Sequence, residues 1–229
     1  MLAPQSYSKN DILKRYPFIK DGKNFKRSIT RFLDATDYKY EYKNKKITIL
    51  EEPPLTTWFK ELFIIELGYS YNTNWKLLTA ILKAVDNCRK NDFDTMPYLT
   101  KLKFLKEEYD VETTEQELRT QLKRLQNFGI IYKEDKPYQA IWYTYYDKNK
   151  VKIQKKVNTE EEYNKYLEYK DSVKQYMHNG HSLYKAIVYT YLDFEKAFYT
   201  MASRNFLLNF INEDIYQRNM VIYSLVRYL

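Results

Sequence analysis

The chain has 229 residues, 44% of them hydrophobic and 30% charged, a balance that excludes a disordered polymer and allows one to three small domains. Its single cysteine, Cys88, excludes an internal disulfide framework and a zinc finger, and its four glycines (Gly22, Gly68, Gly129, Gly180) form no phosphate-cradling loop. Residues 1–50 hold twelve Lys or Arg against five Asp or Glu, and so carry seven of the eight net positive charges.

Ser8, with Asp11 three residues on, opens a first helix that Tyr16-Pro17 ends, because the residue before a proline disfavours the α region. Asp21-Gly22 makes a turn. A second helix over about Lys23–Asp34 sets Phe25, Ile29, Phe32 and Leu33 on one inward stripe, with Lys23, Lys26, Arg27, Thr30 and Arg31 on the other side. Tyr38, Tyr40 and Tyr42 then alternate with Lys39, Glu41 and Lys43, and an Asn44-Lys45-Lys46 turn leads into Ile47–Leu50, a hairpin with a basic tip. Helix, turn, helix and hairpin together have the layout of a winged helix.

Apolar helices follow at Thr56–Leu67, stopped by Gly68, and at Trp75 to about Asn91; another starts after Thr95 and Pro97 and reaches about Tyr109. Thr114 and Glu117 read as a capping box for a helix to about Asn127, with Leu118, Leu122 and Leu125 inward and Arg119, Thr120, Lys123, Arg124 and Asn127 outward. The segments Ile130–Tyr132 and Tyr138–Tyr146, either side of residues 133–137, predict a second wing. Lys148–Lys156 reads as a polar, basic link. Beyond it everything predicts helix: Thr159–His178, Ser182 or Leu183 to about Ser203, and Asn205–Leu229 with a break near Asn212.

The expected fold is therefore mainly α with short β-hairpins (α+β): two winged-helix-like units and a helical C-terminal domain. The divisions are a basic unit at 1–54, helices plus the second unit at 55–147, and a helical oligomerisation or partner domain at 157–229.

Catalytic and metal chemistry find little to work with. His178 and His181 lack further imidazole or thiol ligands beside them. Asp193-Phe194-Glu195-Lys196 matches the bare carboxylate string of metal-dependent nucleases, but it is predicted inside a helix, where adjacent residues point apart. A tyrosine nucleophile among 25 tyrosines carries no weight without its partner groups. The chain is expected to be non-enzymatic, without cofactor or metal. With no signal-length or membrane-length apolar run, it is expected to be cytoplasmic.

A basic surplus confined to one segment is the footprint of a polyanion-binding module. The expected function is sequence-specific binding of double-stranded DNA, by Lys23, Lys26, Arg27, Thr30, Arg31, Lys43, Lys45 and Lys46, with a weaker contribution from Arg119, Lys123 and Arg124. Tandem winged helices resemble the layout of plasmid and phage replication initiators, and single ones that of transcription regulators. The alternative is a small inhibitor or adaptor that binds a protein or nucleoprotein complex. Aromatic and aliphatic residues after 159, among them Tyr163, Leu167, Ile187, Phe198 and Leu225, suggest a homodimer through the C-terminal helices.

Overall fold

The computed structural model describes residues 1–132, 139–202, 207–208 and 213–229. It is a mixed α and β structure with small antiparallel sheets, and it divides into two compact units. The first comprises residues 1–86, 127–130 and 208–229, and the second 87–126 and 131–207.

The first unit opens with β1 (Ser6–Tyr7) and α1 (Lys9–Arg15). The Ser8–Asp11 capping box is formed in both directions: the Ser8 hydroxyl accepts the Asp11 N–H, and the Asp11 carboxylate accepts the Ser8 N–H at 2.8 Å. Those bonds to the ionised carboxylate hold Asp11 below the usual carboxylate range. A 3₁₀ turn (Gly22–Asn24) runs into α2 (Phe25–Ala35), which buries Phe25, Ile29, Phe32 and Leu33, the stripe its spacing predicts. β2 (Tyr40–Lys43) and β3 (Lys46–Ile49) form the hairpin, and β1 joins it to give the order β1-β3-β2. Tyr42 stands opposite Ile47 and Lys43 opposite Lys46.

The core of this basic segment does not close at Pro54. Ile64, on α3 (Leu55–Leu67), packs among Ile12, Phe32 and Ile47. Glu61 of the same helix is 3% exposed and accepts hydrogen bonds from the Tyr16 hydroxyl and, at 3.3 Å, the Tyr38 hydroxyl. α3 stops at Gly68, where φ is +61° and the next N–H, that of Tyr69, bonds back to the Phe63 carbonyl at 3.0 Å; only glycine takes that conformation without a Cβ penalty. α4 (Trp75–Asp86) follows with Leu77, Leu78, Ile81, Leu82 and Val85 buried.

The second unit begins with α5 (Cys88–Asn91), so the long helix predicted over 75–91 is two, interrupted at Asn87, a residue of modest helix propensity. α6 (Tyr98–Tyr109) and α7 (Glu115–Asn127) come next, and α7 buries Leu118, Leu122 and Leu125 as predicted. After β4 (Ile131–Tyr132) come β5 (Gln139–Tyr146), β6 (Lys152–Lys156), α8 (Glu160–His178), α9 (Leu183–Phe194) and β7 (Ala197–Ala202). The sheet order is β6-β5-β7, antiparallel throughout, and α8 covers it through Tyr169, which packs with Tyr143 and Phe198. β8 (Leu207–Leu208) and α10 (Glu213–Tyr228) complete the chain. α10 belongs to the first unit, where it packs on α3 and α4 with Ile222, Leu225 and Val226 buried.

Three expectations need correction. The predicted second wing does not form: a strand has two edges, and those of β5 are taken by β6 and β7, leaving none for β4. Its predicted tip, residues 133–137, lies outside the described residues. The supposed link 148–156 holds β6 and the turn that leads into it. Asp147 makes that turn, its carboxylate accepting the N–H groups of Asn149 at 2.9 Å and Val151 at 2.8 Å. Finally, the chain beyond 157 is not wholly helical. Glu195, at φ 52°, ends α9, and β7 occupies what was read as the end of that helix; β8 lies within the helix expected from Asn205.

Candidate nucleic-acid interface

Once Phe25, Ile29, Phe32 and Leu33 turn inward, the helical period leaves Lys26, Arg27 and Arg31 on the exposed side of α2. Lys23 is exposed in the preceding 3₁₀ turn. Lys43, Lys45 and Lys46 are exposed at the hairpin end. Lys26 joins the two groups, its Nζ 5.2 Å from the centroid of the Tyr42 ring on β2. The helix face and the hairpin therefore make one continuous cationic surface.

The acids of the same segment are engaged elsewhere. Asp11 caps α1, and Asp21 pairs with Lys9 and accepts the Gly22 N–H. Asp34 accepts the Tyr40 hydroxyl at 2.8 Å, and Asp37 pairs with Lys60 on α3. Burial and that bond to Asp34 push the Tyr40 hydroxyl up to about 12. Glu41 alone stands on the hairpin, opposite Thr48. Among the described residues, no carboxylate forms an ion pair with Lys23, Lys26, Arg27, Arg31, Lys43, Lys45 or Lys46.

The hairpin tip is conformationally expensive. Asn44 and Lys45 have φ of 49° and 58°, the pattern of a two-residue type I′ turn. Asparagine tolerates this region; lysine is held there at a cost of about 1–2 kcal/mol. Thr30 is half-buried and its hydroxyl donates to the Lys26 carbonyl at 2.9 Å, so its donor is already used within the helix.

The second set of predicted residues is differently placed. The Arg119 guanidinium stacks 3.8 Å from the Tyr98 ring centroid and bonds Glu115, which raises its pKa above the ordinary arginine value. It braces α7 against α6. Arg124 is half-buried, and Lys123 is exposed. These three belong to the second unit, and the first group to the first.

Two cationic features were not assigned to the interface on sequence grounds. Lys20 is exposed beside α2, in a loop held by the Lys20 N–H donating to the Ser28 hydroxyl at 3.3 Å. Lys148, Lys150 and Lys152 are exposed around the β5–β6 turn. Asp147 and Asn149 were a legible turn signal, masked by reading the charge run as a link.

The histidines and the carboxylate string carry no site geometry. His178 is exposed at the end of α8, and His181 packs its ring on Tyr176 and Tyr189. Asp193 accepts the Tyr176 hydroxyl at 2.9 Å while Lys196 lies over the Tyr143 ring; the string straddles a helix end instead of lying inside a helix. Among the described residues, no group of three His, Cys, Asp or Glu could hold a metal ion, and no helix is long and apolar enough to cross a membrane. No protein-family model, curated protein or solved structure matches the chain.

Proposed function

We propose that this chain binds double-stranded DNA through α2 and the β2–β3 hairpin, as a transcription regulator or a replication initiator of plasmid or phage type. The observation that carries this reading is the uncompensated charge: seven cations on one continuous surface, with the neighbouring acids engaged in caps and pairs elsewhere. The strand order β1-β3-β2 beside two helices is compatible with a winged helix. In that geometry the second helix enters the major groove and the wing follows the backbone. Arg27 would read base edges, since Arg matches the guanine acceptors bidentately; Arg31 and the lysines would set register on phosphates. Pairing of two chains through α9 would place two such surfaces on one duplex.

A binding assay on random-sequence duplex, titrated with salt, tests this. If about 6 phosphates are neutralised, affinity falls by about three orders of magnitude between about 50 and 200 mM salt. The reversal Lys26→Glu/Arg27→Glu/Arg31→Glu weakens binding far more than Arg119→Glu/Lys123→Glu/Arg124→Glu. A flat salt dependence, or equal losses in the two triple variants, overturns the reading and favours a protein partner.

A further inference from the structure

Beside the N-terminal half of α2 lies a cleft of about 390 Å³, at the small end of ligand-binding clefts, which run from about 300 to 1,000 Å³. Three cations line it: Lys20 from the loop after α1, and Arg27 and Arg31 one turn apart on α2. Two aromatic rings, Phe18 and Tyr71, complete the wall. Both rings pack on Phe32 in the core, with centroid distances of 5.3 and 6.2 Å, so their positions are set from beneath. Asn24 adds an amide at the helix start, with no capping bond from its side chain.

This combination has a chemical meaning. Uncompensated guanidinium groups match a phosphate bidentately. Aromatic walls serve a flat π-system, and a base offers its faces only when it is out of a duplex stack. The space is too small for a base pair and its two backbones. We infer that the cleft between α2 and Tyr71 binds one unpaired nucleotide of a DNA strand, its phosphate on Arg31 and Lys20 and its base against Phe18 and Tyr71, while Arg27 stays with the duplex. The inference rests on the proposed DNA binding and adds to it a preference for junctions, where duplex meets single strand. Such a preference suits a protein that acts at opened DNA, and it gives Arg31 a role at the edge of the groove.

The full-length protein is tested with two short duplexes, one blunt and one with a single-nucleotide 5′-phosphorylated overhang bearing 2-aminopurine. The overhang duplex is expected to bind about tenfold more tightly than the blunt one, with quenching of the 2-aminopurine as it stacks. Tyr71→Ala abolishes both the preference and the quenching while leaving blunt-duplex affinity unchanged. Asn24→Trp, an exposed position where a large ring fills the cleft, gives the same result should Tyr71→Ala not fold. Deoxyadenosine monophosphate alone competes for the overhang preference and not for blunt duplex. Equal affinity for the two duplexes without quenching in the wild-type protein overturns the cleft assignment and leaves duplex binding standing. Binding of the overhang with no measurable blunt-duplex binding overturns the duplex reading and leaves the cleft standing.

Discussion

Lys45 shows how one residue can record a compromise. Type I′ turns favour Asn-Gly, because both central residues have positive φ, and here lysine holds the second place at φ 58°. A backbone outlier at the tip of a cationic hairpin is an observation from which function can be inferred. Lys45→Gly is expected to stabilise the fold by about 1 kcal/mol, less whatever glycine adds to the freedom of the unfolded chain. It is also expected to weaken DNA binding severalfold and to reduce the salt slope by about 1. Urea denaturation and a salt titration read the two effects separately. A variant that is more stable and binds DNA unchanged would remove Lys45 from the interface. Arg119 records the opposite case, for its charge is taken up by Glu115 and its plane by Tyr98. Spacing placed both residues outward; only geometry tells which is free to meet a ligand.

Between elements, the basic module is held by tyrosines. Tyr16, at the end of α1, and Tyr38, before β2, both bond Glu61 on α3, while Tyr40 on β2 bonds Asp34 on α2. Burial, then the neighbouring Glu61 charge, raises the Tyr16 and Tyr38 hydroxyls well above the usual phenol range. A group whose folded pKa is raised stabilises the fold fully below its unfolded value and loses that contribution as pH rises through the folded one. The unfolded value is about 10. These tyrosines should therefore leave the melting temperature unaffected below about pH 10 and make it fall steeply above. In Tyr40→Phe that fall should be shallower. Ionisation of all tyrosines near pH 10 in the still-folded protein, seen by tyrosinate absorbance, would contradict this account. These ties also explain what the sequence could disclose. The α1 cap, the α2 stripe, the first hairpin and the α7 leucines were legible because each is a local pattern of period or capping. The β6-β5-β7 sheet was not, since β5 and β7 are separated by more than fifty residues and nothing local in either names its partner. Nor was the cleft, because Tyr71 joins Arg27 and Arg31 only through the packing on Phe32.

For the whole molecule, the C-terminal residues that suggested a dimer fall on α8, α9, β7 and α10; Tyr163 and Leu167 of α8 are exposed, and Phe198 of β7 is buried with Tyr143 and Tyr169. Those of α10 are accounted for within the first unit, where Ile222, Leu225 and Val226 are buried against α3 and α4. Those of α9 are not. Its inner side is lined by the small residues Ala186 and Thr190, which let it lie close to α8, as the 3.5 Å contact of the Thr190 and Ser172 hydroxyls attests. Its outer side exposes Leu183, Ile187, Val188, Tyr184 at 78% and Leu192 at 66%. From Leu183 to Leu192 the only charged residue is Lys185. A face almost without charge can meet its own copy with little repulsion even on a chain of net charge +8, and a two-fold contact demands such a self-complementary patch. If two chains pair in this way, two linked DNA surfaces would bind more tightly than one by about a hundredfold or more. Truncation cannot test this, because removing the chain after 156 deletes both β7 from the sheet and α10 from the first core. The substitution Tyr184→Asp/Leu192→Asp can, since both side chains face water. The wild-type chain should sediment as a dimer at micromolar concentration and the double variant as a monomer. The variant should melt at the wild-type temperature when both are compared at a concentration where the wild type is monomeric. Its affinity for a two-site duplex should fall while its affinity for a single site is unchanged. A wild-type chain that sediments as a monomer at that concentration would show that α9 is not a pairing surface.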